Sequence, residues 1–259
     1  MKNMNLKTTL IAVVGIASTI LLISSAHAEN NRRWVQLRPL DESADNSNKD
    51  KPEGKGATIL DSSADGITLR VSLPGMYLEN QIMDDGLIYT TITAPDSGML
   101  EISKPNLPVF GNFILIPNGT KIKLEIDPGK PLAYDNIDIS PLQPPPLADG
   151  KESKQKFVKH AETYSRDADY PDSFVVVDPP AKIRGQECTF VWLFPYRYNP
   201  KQRILSVYPD LTVRVSFSGK HQGIPRRLKN KQTDETMRRM AINGEVILKD
   251  REKQGETGG

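Results

Sequence analysis

The chain contains a single cysteine, Cys188, and therefore cannot form an internal disulfide. Its stability must come from a hydrophobic core, which a chain of 259 residues is long enough to bury. Cys188 lies in an alternating segment, residues 187–192 (ECTFVW), that predicts a β-strand. We interpret it as a small buried apolar residue. The alternative is a nucleophile, but neither His160 nor His221 has a local sequence context that would activate a thiolate.

The sequence also lacks the motifs of common enzyme classes. It has no glycine-rich phosphate loop, no His-Glu-x-x-His zinc helix, no Gly-x-Ser-x-Gly elbow and no paired cysteines. Its acidic residues beside glycine, asparagine or proline are typical of turns, with a carboxylate active site or loop-bound calcium as alternatives. We therefore predict no catalytic residue, no metal site and no cofactor.

A surplus of charge is missing once the first residues are set aside. The first 28 residues contain two basic residues, Lys2 and Lys7, and no acidic residue. Without them, the 34 basic residues become 32, which equals the 32 acidic residues. Binding to nucleic acid or to an anionic membrane depends on a basic surplus, so this balance argues against both partners.

The first 28 residues are predicted to be an export signal. An apolar run from about residue 10 to residue 23 follows the two lysines, and Ala26-His27-Ala28 is a small-x-small cleavage site. The alternative is an uncleaved membrane anchor, since the stretch is near the lower limit for spanning a bilayer. We expect cleavage, and hence a periplasmic or extracellular protein that is not held in the membrane.

The rest of the chain divides into three parts. Residues 29–57 are poor in apolar side chains and are predicted to be a disordered leader. Residues 58–218 show short β-branched and apolar segments broken by turn residues about every 8 to 12 positions, which predicts an all-β domain. Residues 219–259 are predicted to form a short helix, near residues 233–243, and a disordered polar tail from residue 249.

The turn at Asn118-Gly119 lies between two β-patterned runs, residues 110–116 and 121–127. Because both turn residues tolerate positive φ, this pattern predicts a β-hairpin with the two runs as antiparallel neighbours. A second turn, residues 198–202 (YNPKQ), is predicted to join two later strands, with Asn199 capping its own backbone.

Five segments in a fixed order carry a family resemblance. They are residues 104–109 with 113–117 (KPNLPV, FILIP), 170–171 (YP), 184–186 (RGQ), 195–200 (PYRYNP) and 205–208 (LSVY). Together they resemble the propeptides of gingipain-type cysteine peptidases over roughly residues 68–217. The resemblance implies an antiparallel β-sandwich of the jelly-roll kind. It also implies a domain that assists folding of a caspase-like cysteine peptidase and blocks its active site.

The resemblance also suggests residues for this role. In the Arg-specific members a loop presents a basic residue to the peptidase, and residues 141–172 are the matching excursion here. Lys151, followed by Lys154, is the residue expected to fill the pocket. Trp192, Tyr196 and Tyr198 are aromatic residues that belong either to the rim of the core or to a partner contact.

The chain stops at Gly259, before the several hundred residues that a peptidase domain requires, so we expect no enzymatic activity. Its partner would then be a caspase-like cysteine peptidase, supplied in trans or by a split gene. A second hypothesis is a secreted β-sandwich binding module for glycan or for a surface protein. That hypothesis requires an exposed aromatic platform.

Overall fold

The structure, a computed structural model, describes residues 32–38, 57–98, 101–145, 156–222 and 230–256. The predicted signal segment and residues 39–56 of the predicted leader lie outside these ranges. The described residues are dominated by antiparallel β-structure, with one short helix within the β region and two helices at its C-terminal end.

Fourteen strands are present in the described part of the chain. They are β1 (Arg32–Gln36), β2 (Ala57–Ser63), β3 (Gly66–Val71), β4 (Gly75–Ile82), β5 (Ile88–Thr93), β6 (Phe110–Ile116), β7 (Lys121–Asp127), β8 (Leu132–Tyr134), β9 (Val175–Val177), β10 (Ala181–Ile183), β11 (Gln186–Leu193), β12 (Tyr196–Asn199), β13 (Ile204–Val207) and β14 (Thr212–Ser218). The sheet orders are β1-β4-β5, β10-β11-β6 with β9 also on β11, β12-β13-β8, and β2-β3-β14-β7.

One hydrophobic core is shared by all four sheets, as expected for a sandwich. Alternation along β3 and β14 places every second residue of these strands in this core. The predicted alternation of residues 66–73 and 211–217 is confirmed. The fully buried side chains include Ile67, Leu69 and Val71 on β3, Val213 and Val215 on β14, Ile114 and Ile116 on β6, Val191 and Leu193 on β11, and Leu205 and Val207 on β13.

Strand β1 corrects the prediction that residues 29–57 are disordered throughout. It pairs antiparallel with β4, and Trp34 lies opposite Tyr77 with ring centroids 4.7 Å apart. The indole also lies against Gly75, where an added Cβ would come within 2.1 Å of the ring. The composition of this segment did not indicate a strand. The strand depends on β4, a distant part of the chain, for its hydrogen-bond partners.

The turn at Asn118-Gly119 forms, but the predicted hairpin does not. Gly119 has φ of 82° and the Thr120 N–H donates to the Pro117 carbonyl, yet β6 pairs with β11 while β7 pairs with β14. Tertiary contacts outweigh the local preference. The Asn118 side chain donates to the Gly185 carbonyl at 2.5 Å and accepts from the Glu187 N–H at 2.8 Å, and so binds the tight β10–β11 turn.

The C-terminal part forms two helices, α2 (Lys231–Met240) and α3 (Gly244–Glu256). The expected helix is present and begins after Asn230, whose side chain accepts from the Thr233 N–H at 3.0 Å. Residues 249–256 belong to α3 and not to a disordered tail, because the helix docks on the β-structure, with Ile247 and Leu248 buried in the core. None of the helices in the described ranges combines the length and the apolar character that a transmembrane helix needs.

Candidate functional site

Lys151 and Lys154 belong to residues 146–155, which lie outside the described part of the chain. The structure does describe the two stems that lead to this segment, residues 138–145 and 156–160. The candidate site is therefore built from these stems and from the sheet edge on which they lie.

The outgoing stem is fixed to the edge of β5. The Thr90 N–H donates to the Asp138 carbonyl at 2.6 Å, and the Thr90 carbonyl accepts from the Ser140 N–H at 3.0 Å. These bonds form a parallel bridge between Thr90 and Ile139, and Ile139 is fully buried. Residues 138–140 are thus held as an extension of the β1-β4-β5 sheet.

A side chain joins the two stems to each other. Gln143 on the outgoing stem accepts from the Val158 N–H at 3.0 Å through Oε1 and donates to the Val158 carbonyl at 2.9 Å through Nε2. Each stem is bonded to neighbouring backbone as well: the Leu142 N–H donates to the Lys104 carbonyl, and the His160 N–H donates to the Ser103 carbonyl. The described residues on either side of segment 146–155 therefore form a closed, hydrogen-bonded base.

Aromatic residues surround the returning stem. The Lys159 ammonium donates to the Tyr89 hydroxyl at 2.9 Å and lies 4.5 Å from the centroid of the Tyr164 ring. The Tyr89 hydroxyl donates to Asp85 at 2.7 Å, and the Tyr164 hydroxyl donates to the Ile139 carbonyl at 2.9 Å. Burial raises the pKa of Tyr89 and of Tyr164, so both hydroxyls stay protonated as donors at physiological pH. Tyr164 lies in the short helix α1 (Ala161–Ser165), which His160 caps by accepting from the Thr163 N–H.

Tyr196 and Tyr198 lie in the core, at 0% and 1% exposure, so neither ring is open to a partner in this structure. Their shared face of β12 points inward, and they pack with Leu205 and Val207 of the neighbouring strand in the core cluster. The Tyr196 hydroxyl is buried without a hydrogen-bond partner among the described residues, and burial raises its pKa. Burial likewise raises the pKa of Tyr198 to about 12.

Trp192 lies on the opposite side of its sheet from the core. Its indole stacks on Phe190 at 5.4 Å and 18°, and its N–H donates to Asp178 at 2.9 Å. Phe190 is 40% exposed and lies 5.3 Å from Phe113 on β6. Phe190 and Phe113 were not among the predicted contact residues. The cross-strand pairing of Phe113 with Phe190 across β6 and β11 brings the three rings together.

Cys188 is buried, as predicted, and its Sγ donates to the Ala181 carbonyl at 3.6 Å. Burial raises the pKa of the thiol, which disfavours the thiolate that a nucleophile needs. Within the described ranges no three histidine, cysteine or acidic side chains are placed to hold a metal ion.

Comparison with known proteins identifies related sequences. The Propeptide_C25 family model matches residues 47–250. Gingipain R1 of Porphyromonas gingivalis is 25% identical over 185 residues, which cover 64% of this chain and 18% of that protein. A second Gingipain R1 of the same species has the same identity over the same length, and the match covers 10% of it. The chain thus spans only a small part of the curated relatives it matches.

Two solved structures share the fold. A complex of the pro- and mature domains of RgpB from Porphyromonas gingivalis matches with a TM-score of 0.63 and 16% identity, over 74% of this chain and 99% of the matched chain. A structure of gingipain K from the same species, concerned with its zymogenic latency, matches with a TM-score of 0.57 and 18% identity, over 73% and 100%. The predicted antiparallel β-sandwich is confirmed by this likeness.

Proposed function

Because the chain belongs to the C25 propeptide family, we propose that it binds a caspase-like cysteine peptidase outside the cytoplasm and keeps that peptidase latent. The observation that carries the proposal is the closed base of segment 146–155. Gln143 holds the two stems together, and β5 holds the outgoing stem. The described part of the site is a pair of hydrogen-bonded stems at the edge of a sheet, and the proposed role does not use a reactive side chain of these stems.

A loop with fixed ends suits inhibition of a peptidase. Ordering a flexible loop on binding costs conformational entropy, and a base that is already hydrogen-bonded lowers that cost. In this proposal, a peptidase cleft accepts a segment whose two stems are held together by the hydrogen bonds between Gln143 and Val158. The closed base at Gln143 and Val158 supports this role for segment 146–155.

Within segment 146–155, Lys151 is the residue proposed to enter the specificity pocket, with Lys154 as the second choice. A lysine carries a compact positive charge on a long flexible stem, which suits a deep acidic pocket. Its contribution would be charge-assisted hydrogen bonding to a carboxylate at the end of that pocket.

In this proposal the chain restrains a peptidase and does not act as one. Cys188 is the only cysteine, and its side chain is buried with a raised pKa. Assistance in folding of the peptidase is a further part of the proposed role, since the surface that holds the folded peptidase would also stabilise it during folding.

The test is a titration of mature peptidases with purified residues 29–259. Gingipain R1, gingipain K and the C25-type peptidases of the source organism would be assayed with a fluorogenic peptide. We expect inhibition at or below micromolar concentration. We also expect at least about a tenfold weaker inhibition constant for Lys151→Ala, while exposed Lys130→Ala serves as the matched control. No inhibition by the wild type would overturn the proposal, and an unchanged constant for Lys151→Ala would remove Lys151 from it.

A second candidate function is binding of a glycan or a surface protein, and the Phe190–Trp192 stack favours it. Stacked, partly exposed rings on the outer face of a sheet can bind the apolar face of a sugar. A glycan array probed with wild type and Phe190→Ala tests this candidate. Binding that disappears in Phe190→Ala would support it, and absence of any binding would exclude it.

A further inference from the structure

The end of the β4–β5 hairpin, residues 82–88, carries exposed aliphatic side chains beside the loop base. Ile82 is 73% exposed, Ile88 is 63% exposed and Leu87 is 56% exposed. Large aliphatic side chains are usually less exposed than this, and three within one turn make a local apolar surface.

The two exposed isoleucines lie on the face of the hairpin that is buried nearer its base. Ile82 lies directly opposite Ile88, and Leu78 lies opposite Ile92 on the same two strands. Because side chains alternate along a strand, both pairs belong to one face of the sheet. At the base of the hairpin this face is buried, with Leu78 and Ile92 at 6% and 3% exposure. At its end the same face carries the exposed isoleucine pair.

The hairpin end is held in a defined conformation. The Gly86 N–H donates to the Met83 carbonyl at 2.9 Å, and Gly86 has φ of 78°. Asp85 accepts from the Leu87 N–H at 3.1 Å and from the Tyr89 hydroxyl at 2.7 Å. The apolar side chains are therefore presented by an ordered turn, and binding them requires little further ordering.

Both stems of segment 146–155 lie next to this hairpin end. The outgoing stem bonds to Thr90, two residues after Ile88. The returning stem reaches Tyr89, the next residue after Ile88, through Lys159. A partner that contacts the two stems beside Tyr89 and Thr90 therefore also comes close to Ile88.

We propose that Ile82, Leu87 and Ile88 form a second contact with the same peptidase, at an apolar surface beside its active-site cleft. This inference rests on the proposed function and deepens it. The hairpin end would supply hydrophobic burial next to the loop contact, and two linked contacts bind with a slower dissociation than either alone. The partner surface is expected to be apolar and to carry few charged residues.

The test compares the double variant Ile82→Gln/Ile88→Gln with wild type in a binding and inhibition assay on the peptidase that the wild type inhibits. We expect an inhibition constant at least about tenfold weaker, mainly through faster dissociation. Since both side chains are exposed, the variant should fold as the wild type does, which circular dichroism and the melting temperature check. Ile126→Gln, an exposed isoleucine on β7, is the matched control and should inhibit as the wild type does.

The outcomes separate this inference from the proposed function. Inhibition by the wild type with an unchanged constant for the double variant would overturn the hairpin contact alone. An equal loss in Ile126→Gln would also overturn it, because the contact would not be local. Absence of inhibition by the wild type would overturn both. Sedimentation equilibrium adds one further outcome: a dimer of the free chain that the double variant abolishes would assign the isoleucine pair to a second copy and overturn the proposal.

Discussion

Gln143 binds the backbone of Val158 in both directions, with Oε1 accepting from the N–H at 3.0 Å and Nε2 donating to the carbonyl at 2.9 Å. A side-chain amide here replaces the backbone partner that a neighbouring strand would supply. Gln143 and Val158 are 15 positions apart in the sequence, and the side chain of Gln143 alone supplies the two hydrogen bonds between them. The proposed function depends on this closure.

The first prediction concerns the closure itself. Gln143→Ala removes both bonds, so the stems should separate more easily and inhibition should weaken by about tenfold, because the loop is no longer preorganised. The inhibition constant measures this effect. The exposed Gln81, whose amide donates to Thr91, provides the control Gln81→Ala. Equal inhibition by Gln143→Ala and wild type would show that the closure has no role in binding.

The second prediction concerns the buried Asn243, which joins the helices to the sandwich. Its Oδ1 accepts from the Leu115 N–H and its Nδ2 donates to the Leu115 carbonyl, each at 2.8 Å. Asn243→Ala leaves two buried backbone groups without partners and should lower the free energy of unfolding by about 2 to 4 kcal/mol. Urea denaturation measures the loss. Gln232→Ala, an exposed residue of α2, should change it by less than about 0.5 kcal/mol. A loss below 1 kcal/mol in Asn243→Ala would contradict the assignment.

The third prediction concerns the packing of Trp192 on Gly111. A Cβ at Gly111 would lie 2.5 Å from the indole, so Gly111→Ala must displace the ring. We expect a loss of about 1 to 3 kcal/mol in the free energy of unfolding, with a shift in tryptophan emission. Gly98→Ala is the matched control, because its Cβ would meet Val109 at an ordinary 3.6 Å. An unshifted emission spectrum in Gly111→Ala would contradict the observed ring position.

The fourth prediction concerns Tyr196 and alkaline pH. Because burial raises the pKa of Tyr196, the folded chain keeps the phenol proton above pH 10, whereas the unfolded chain loses it. The unfolded state then binds fewer protons, and the free energy of unfolding falls as pH rises above about 10, by up to about 1.4 kcal/mol per pH unit from this group. Tyr196→Phe should remove that part of the fall. Denaturation at pH 9 and pH 11 measures it.

At neutral pH the same variant should cost less than about 1 kcal/mol, because the Tyr196 hydroxyl has no hydrogen-bond partner among the described residues. Tyr164→Phe is the comparison. Its hydroxyl donates to the Ile139 carbonyl, so it should cost about 1 kcal/mol. An identical alkaline slope for Tyr196→Phe and wild type would contradict the buried environment of this phenol.

Alternation in the sequence predicted several strands of the fold but not which face of each strand is buried. Residues 187–193 belong to a strand, as their alternation predicted, but both faces of this strand, β11, carry apolar side chains. Val191 and Leu193 point to the core, while Phe190 and Trp192 point away from it. The period of two tells which side chains share a face. It does not tell which face is covered, and so Tyr196 and Tyr198 could not be placed in the core from sequence.

Long-range pairing was the other part that local signals could not supply. Asn118-Gly119 is a strong local hairpin signal, but the strands on either side belong to different sheets. Segment 32–36 has no strong strand pattern, and its partner β4 supplies the ladder and a place for Trp34. The stem contacts Gln143–Val158 and Lys159–Tyr89 join distant positions through single side chains, and no spacing rule indicates such contacts.

The most direct test of the account is protection of the catalytic cysteine of a C25-type peptidase from alkylation. The peptidase that the chain binds would be treated with iodoacetamide in the absence and presence of saturating residues 29–259, and labelling would be followed by mass spectrometry. If the chain occludes the active site, the labelling rate of that cysteine should fall at least about tenfold in the complex. A complex that forms while the cysteine is labelled at its original rate would contradict the account.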